Sequence, residues 1–336
     1  MDQQQMAGRL SVQPGTGQQW RQAADGHFEN RPVGRVHIHV LDETSDVALM
    51  HNTHEGNTMK FSLVLATLGR TDEVARFLVS LHAQDYRNFE LIVVDQNDDD
   101  RLLPLMAMYG EKMQIRHLRS AARGVSRARN TGLPLAKGDV IAFPDDDCWY
   151  PDGLLTQVAA VLHQHQELDG ITGRFTDGSG RTEGRWLRRS MLLDRYNVWR
   201  GAIEFSIFLR RKVVETVGQF DESLGVGAGT EWGAAEGTDY LLRSLQHDFK
   251  LKYLQEITLH HPVKTANFDD SACHRQKKYE AGIGRVMRIN AYPFWYFPGT
   301  CLRTCGGALL AMAGGNFLKA HFKYVSVLAR VQGWRK

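Results

Sequence analysis

The sequence predicts an α/β fold, a mostly parallel sheet with helices on both faces, followed by a helical C-terminal extension. Three observations carry that reading. Apolar, β-leaning runs alternate with stretches of helical period, strongly polar residues stand directly after the runs, and basic residues concentrate near the C-terminus. Residues 61–66 (FSLVLA) form the first strand, running out to Gly69. A helix follows, capped by Thr71 or Asp72, with Val74, Phe77, Leu78 and Leu81 at i, i+3, i+4 and i+7. Residues 90–95 (ELIVVD), 114–118 (QIRHL) and 139–143 (DVIAF) are the next strands, with helices near 101–109 and 125–136 between them. Residues 1–58, rich in Gln, Gly and His, show only the short alternation of Val36, Ile38 and Val40, and are expected to be a poorly ordered extension.

The chain has 336 residues, 24% charged and 43% hydrophobic, a composition that excludes disorder as the main state. Its net charge of +3 conceals an asymmetry. Eleven of the 41 Lys and Arg, but only one acidic residue (Glu280), lie from His274 onward, so that tail carries +10 and residues 1–273 carry −7. The four cysteines give neither a disulfide framework nor paired CxxC spacing. The N-terminus lacks a basic start and an apolar stretch, so a cytoplasmic location is expected.

In open α/β sheets ligands bind at the carboxyl ends of the strands. After strand one stand Thr67 and Arg70; after strand two, Asp95 with Gln96, Asn97 and Asp98; after strand four, Asp145, Asp146 and Asp147. No GxGxxG or GxxxxGK[ST] loop follows strand one, which excludes the dinucleotide fingerprint and the P-loop. Three adjacent carboxylates require a neutralising cation, and oxygen ligands suit Mg²⁺ or Mn²⁺. The alternative is an acidic turn capping a helix opened by Pro151. Arg123, Arg127 and Arg129 lie one element earlier and match phosphate geometry, as in a nucleoside diphosphate bridged by cation and protein.

Four ordered segments, FSLVLATLGR, SLHAQDYRNFELIVVDQN, GVSRARNTGLPLAKGDVIAFPDDDCWYPDGLL and VGQFDESLGVGAGTEWGAAEGTDYLLRSL, resemble glycosyltransferase family 2. That family comprises inverting enzymes with the GT-A fold. The resemblance runs from about residue 61 to 336. It implies that Thr67 and Arg70 lie near the nucleotide and that Asp95 contacts the base. It also implies that Asp145, Asp146 and Asp147 form a DxD-type site for ribose and metal, in more than one possible register. His261, of His260-His261-Pro262, would lie near the diphosphate or metal; of two adjacent histidines on an extended chain, at most one is a ligand. Relatives place Glu-Asp at the start of a late helix, the aspartate serving as general base. Here the dipeptide is Glu236-Gly237, so Glu236 or Asp239 takes that role. The glycine-rich loop containing Gly227 lets backbone approach a sugar, and Trp232 is placed to stack on one.

Between Tyr292 and Trp334 nine aromatics interleave with the basic residues, a composition shared by membrane-interface segments and single-strand nucleic-acid binders. The apolar block GGALLAMAGGNFL favours lipid and argues against nucleic acid. No run of about 20 uncharged apolar residues occurs, so docking at an anionic membrane surface is expected rather than a simple spanning helix. The expected organisation is thus 1–58 extension, 59–272 catalytic domain and 273–336 membrane-associating tail. The expected activity is metal-dependent transfer of a sugar, UDP-linked, to a glycan or lipid-linked acceptor at the inner face of the cell membrane. The alternatives are a nucleotidyltransferase and a catalytically silent sugar-nucleotide or glycan-binding protein.

Overall fold

The computed structural model describes residues 59–184, 186–263 and 268–336, together with the backbone of two short strands near the N-terminus. Those strands, β1 (Gln18–Gln22) and β2 (Phe28–Pro32), pair antiparallel with Gln22 opposite Phe28. Otherwise the expectation for residues 1–58, including the 36–40 alternation, lies outside the described residues.

The second unit holds an eight-stranded mixed sheet in the order β5-β4-β3-β6-β9-β7-β10-β8. Its parallel half comprises β3 (Phe61–Thr67), β4 (Phe89–Asp95), β5 (Ile115–Arg119) and β6 (Val140–Ala142), within a residue or so of the sequence expectation. These strands are apolar on both faces because helices cover both. α1 (Asp72–His82) buries Val74, Phe77, Leu78 and Leu81, the four residues its period selects. Thr71 is its N-cap, without a side-chain cap bond. α2 (Leu103–Gly110) and α3 (Val125–Gly132) complete the first half. α3 sits so close to the sheet that a Cβ on Gly132 would stand 2.6 Å from Val64 Cγ1.

α4 (Leu154–Gln164) begins after Gly153, so the aspartates at 145–147 do not cap a helix opened at Pro151. β7 (Gly170–Thr176), β8 (Met191–Leu192), β9 (Ile207–Arg210) and β10 (Leu251–His260) finish the sheet, with α5 (Val198–Gly201), α6 (Arg211–Val217) and α7 (Glu236–Gln246) between them. β9 runs antiparallel to both β6 and β7.

Three C-terminal helices follow: α8 (Asp270–Ile289), α9 (Tyr296–Ala313) and α10 (Phe317–Arg335). The boundary expected at 272/273 falls inside α8. That helix packs on the loop before α7, with the Gly233 N–H donating to Lys278 O at 3.0 Å and no room for a Cβ on Gly282 against Ala234. Side chains on Gly284 or Gly333 would strike the backbone of Arg330 or Ala281, so α8 and α10 touch backbone to backbone.

Candidate active site

The site grows from the carboxyl ends of the parallel strands. An Ala66–Asp145 bridge places the aspartates beside β3, and a Trp149–His260 bridge draws the same loop against the end of β10. His261 thereby reaches across, its Nε2 3.0 Å from Asp147 Oδ1 and its Nδ1 2.8 Å from the Pro262 carbonyl oxygen. Its ring stacks on Phe205 at 4.9 Å. His260 turns instead toward Thr176 Oγ1, so one histidine of the pair joins the cluster.

Two arginines hold the aspartates. Arg70 Nε lies 3.1 Å from Asp146 Oδ1 and its Nη1 2.7 Å from Asp147 Oδ2. Arg129, 1% exposed, forks between Asp145 Oδ1 and Glu236 Oε1 at 3.0 Å each. It joins the aspartate loop to the first residue of α7. Arg76, which the sequence reading did not select, donates to the Asp147 carbonyl at 2.7 Å.

Burial pushes the Asp145 carboxyl up to about 6, opposed by Arg129 and reinforced by Asp147 and Glu236. Burial likewise pushes Asp146 up to about 7 against the pull of Arg70. Burial opposes ionisation of Asp147 too, but the His261 hydrogen bond and Arg70 more than offset it, holding that carboxyl well below the usual range. The loop thus contains one firmly ionised carboxylate and two that resist ionisation until more positive charge arrives.

Among the described residues no group of three or more His, Cys, Asp or Glu side chains stands ready to hold a metal ion. The reason is visible in the ion pairs: Arg70 and Arg129 take the carboxylate oxygens.

The remaining expected site residues separate. Asp95 is fully buried; Oδ2 meets His117 Nε2 at 3.0 Å and Arg119 at 3.3 Å, while Oδ1 accepts from the Asn97 backbone and side chain. These bonds order the loop after β4. Thr67, the register partner of Asp95 on β3, stays with the cluster, its side chain beside Asp146. Of the three arginines only Arg129 reaches the aspartates. Arg123 pairs with Asp98 and Arg127 with Glu222, both on the exposed surface.

Gly227 was expected to admit a sugar, but its close neighbour is protein. A Cβ there would stand 3.2 Å from Gly124 Cα, both glycines have positive φ, and Val125 N donates to Val226 O at 2.9 Å. Trp232 lies beneath the Arg285 guanidinium, 4.4 Å from the ring centroid, so α8 covers one face of the ring. Asp239 also leaves the cluster. Its oxygens receive Arg243 Nε and Asn290 Nδ2 at 2.8 Å each, which ties it to α8. Glu236 is therefore the α7 carboxylate that the fold brings to the aspartates.

One carboxylate escaped the sequence reading. Glu204, in the turn before β9, lies against Gly237: a Cβ on that glycine would stand 2.5 Å from Glu204 Cγ. Burial, then the charge of Glu236, pushes Glu204 up to about 7. The sequence signal nearest to it is the glycine at position 237. A group with a raised folded pKa stabilises fully below its unfolded value, and that contribution is lost as pH rises through the folded one. Glu204→Gln is therefore expected to match the wild type in stability near pH 4.5 and exceed it at pH 8 by up to about 3 kcal/mol, read from urea unfolding. Equal stability at both pH values would contradict the burial of this charge.

An α/β sheet with this carboxyl-edge cluster and these C-terminal helices has the GT-A glycosyltransferase architecture. A mannosyltransferase from Pyrobaculum calidifontis, solved with GDP-Man and Mn²⁺, superposes with a TM-score of 0.57 at 14% identity, covering 84% of this chain and 89% of that one. Residues 62–218 match the sequence model of glycosyl transferase family 2. An uncharacterized glycosyltransferase of Nostoc is 26% identical over 244 residues, 67% of this chain and 72% of that one. The Staphylococcus aureus poly(ribitol-phosphate) β-N-acetylglucosaminyltransferase TarS is 29% identical over 126 residues, 34% of this chain but only 22% of its own length. Residues 1–349 of TarS, solved with UDP-GlcNAc, give a TM-score of 0.51 at 16% identity, covering 82% of this chain and 90% of that one. Residues 62–218 thus carry the glycosyl transferase family 2 signature, and the chain is a glycosyltransferase.

Proposed function

We propose that the protein transfers a sugar from a nucleoside diphosphate sugar, UDP-linked, to a hydroxyl of a glycan or lipid-linked saccharide with inversion, in cell-surface polysaccharide synthesis. The observation that carries this reading is the Arg129 fork, which couples Asp145 of the donor-side loop to Glu236 of the acceptor side. The UDP and UDP-GlcNAc complexes of TarS support the donor class. In this reading Glu236 receives the acceptor proton as the oxygen attacks the anomeric carbon, and the diphosphate leaves on the opposite face.

The donor types suit a divalent cation, though their side chains do not converge on one point as they stand: hard carboxylate oxygens lie beside an imidazole whose Nδ1 is oriented by the Pro262 carbonyl. Asp145, Asp146, Asp147 and His261 would hold Mn²⁺ or Mg²⁺, and Arg70 would turn from the aspartates toward phosphate. When bound, the cation supplies charge neutralisation for the departing diphosphate. A screen of nucleotide sugars with Mn²⁺, scoring nucleoside diphosphate release, tests the reading. Release is expected with one donor class, lost in EDTA and lowered at least roughly a hundredfold in Asp145→Ala and Asp147→Ala. Undiminished turnover in EDTA would remove the metal from the account.

The tail is assigned to an anionic membrane surface at the cytoplasmic face. Phe294 (82% exposed), Leu310 (77%) and Phe317 (69%) stand in solvent on the segment that also carries Arg303, Lys319 and Lys323. Part of the tail's charge is spent inside the molecule, in Arg330–Glu280 and Lys336–Glu231. Among the described residues no helix is long and apolar enough to cross a membrane. Flotation with anionic liposomes is expected for the full chain and diminished in Trp295→Ser/Leu310→Ser, which leaves α8 intact. Equal flotation would count against the assignment.

A further inference from the structure

Beside the proposed base, Glu236, the chain carries a glycine at 237. The structure shows what fills the space. A Cβ on Gly237 would lie 2.5 Å from Glu204 Cγ and 3.2 Å from both Cδ and Oε1, so a side chain at 237 and Glu204 in its present place exclude each other. The turn that delivers Glu204 is firmly held. Phe205 is buried and stacks on His261, and the Ser206 hydroxyl bonds to Gly173 O at 3.0 Å and Ile203 O at 2.9 Å. Glu204 itself remains partly open to solvent and forms no ion pair among the described residues.

We propose that Glu204 is the second carboxylate of the proton-accepting site, entering the space that Gly237 leaves and sharing the acceptor proton with Glu236. This deepens the function proposed above and rests on it. The groups facing Glu204 are Glu236 from α7, Arg129 from α3 and Asp145 from the loop after β6, with Tyr279 of α8 near the same carboxylates and Arg275 beside that tyrosine. Glu204 packs against Gly237, next in the chain to Glu236, and the Glu236 charge raises the proton affinity of Glu204. During transfer the acceptor oxygen bonds to the anomeric carbon and the bond from that carbon to the diphosphate oxygen breaks, its electron pair leaving with the diphosphate. The hydroxyl proton passes to the glutamate pair and then to water.

The test uses the full chain, the donor that the wild type turns over, and four variants: Glu204→Gln, Glu204→Ala, Gly237→Asp and Glu204→Ala/Gly237→Asp. Glu204→Gln is expected to lower kcat by roughly 10- to 100-fold, with donor Kd unchanged and the acid limb of the pH–rate profile moved to lower pH. Gly237→Asp alone should also be impaired, because it displaces Glu204. The double variant, which returns one carboxylate to the same space from α7, should exceed Glu204→Ala by about tenfold or more. Wild-type kcat and pH profile in Glu204→Gln would overturn the proposal, as would a double variant no better than Glu204→Ala. Absence of transfer by the wild type from any nucleotide sugar would instead overturn the parent reading.

Discussion

Glu236→Gln is expected to lose sugar transfer by a factor on the order of 10² to 10⁴ while binding the donor as the wild type does. The substitution keeps the size of the side chain and an oxygen toward Arg129, but removes the anion proposed to accept the proton. The aspartates at 145–147 lie on another loop, and Arg129 bridges Asp145 to Glu236. Calorimetric titration of the donor, together with kcat, separates the two effects. Asp239→Asn is the contrasting change. Its carboxylate serves Arg243 and Asn290, so the expected cost is about 1–3 kcal/mol of stability with kcat largely preserved. If Asp239→Asn lost transfer and Glu236→Gln kept it, the assignment of the base would be reversed.

Arg129→Met is expected to cost about 2–4 kcal/mol of stability, because it strips the partner from the buried Glu236 and the partly exposed Asp145. Arg129 is among the largest fully buried side chains, and its guanidinium also lies 5.4 Å from the Phe220 ring centroid. Arg129→Lys should recover only part of the loss, since an ammonium lacks the planar fork that reaches Asp145 and Glu236 together. Urea unfolding at pH 7.5 reads both variants. A loss under about 1 kcal/mol for Arg129→Met would show that the fork is not the link between the two halves of the site.

The parallel half of the sheet was legible because its signals are local. FSLVLA and ELIVVD are short apolar runs with turns beside them, and the helix after Arg70 buries the four residues its period marks. The aspartates at 145–147 were legible for a related reason, since adjacent carboxylates after a strand need a cation wherever they lie. What escaped depends on contacts between residues distant in sequence. Glu204 sits in a short turn without a pattern of its own, and only packing against Gly237 gives it a role. Asp239 and Glu236 look equivalent along α7 until Asn290 arrives from α8 to claim one of them. The glycine loop and Trp232 were read for a sugar because composition reveals flexibility and apolar area but not what they meet. Gly124 and Arg285 meet them first.

The most direct measurement of the central claim is time-resolved NMR of the full chain with Mn²⁺, a nucleotide sugar that it turns over and an acceptor saccharide. It would follow the anomeric signal of the first-formed product together with released nucleoside diphosphate. A carboxylate that deprotonates the acceptor opposite the leaving diphosphate predicts one nucleoside diphosphate per glycosidic bond and an inverted anomeric centre. A product that retains the donor's configuration, or nucleoside diphosphate release with no glycosidic bond formed, would contradict it.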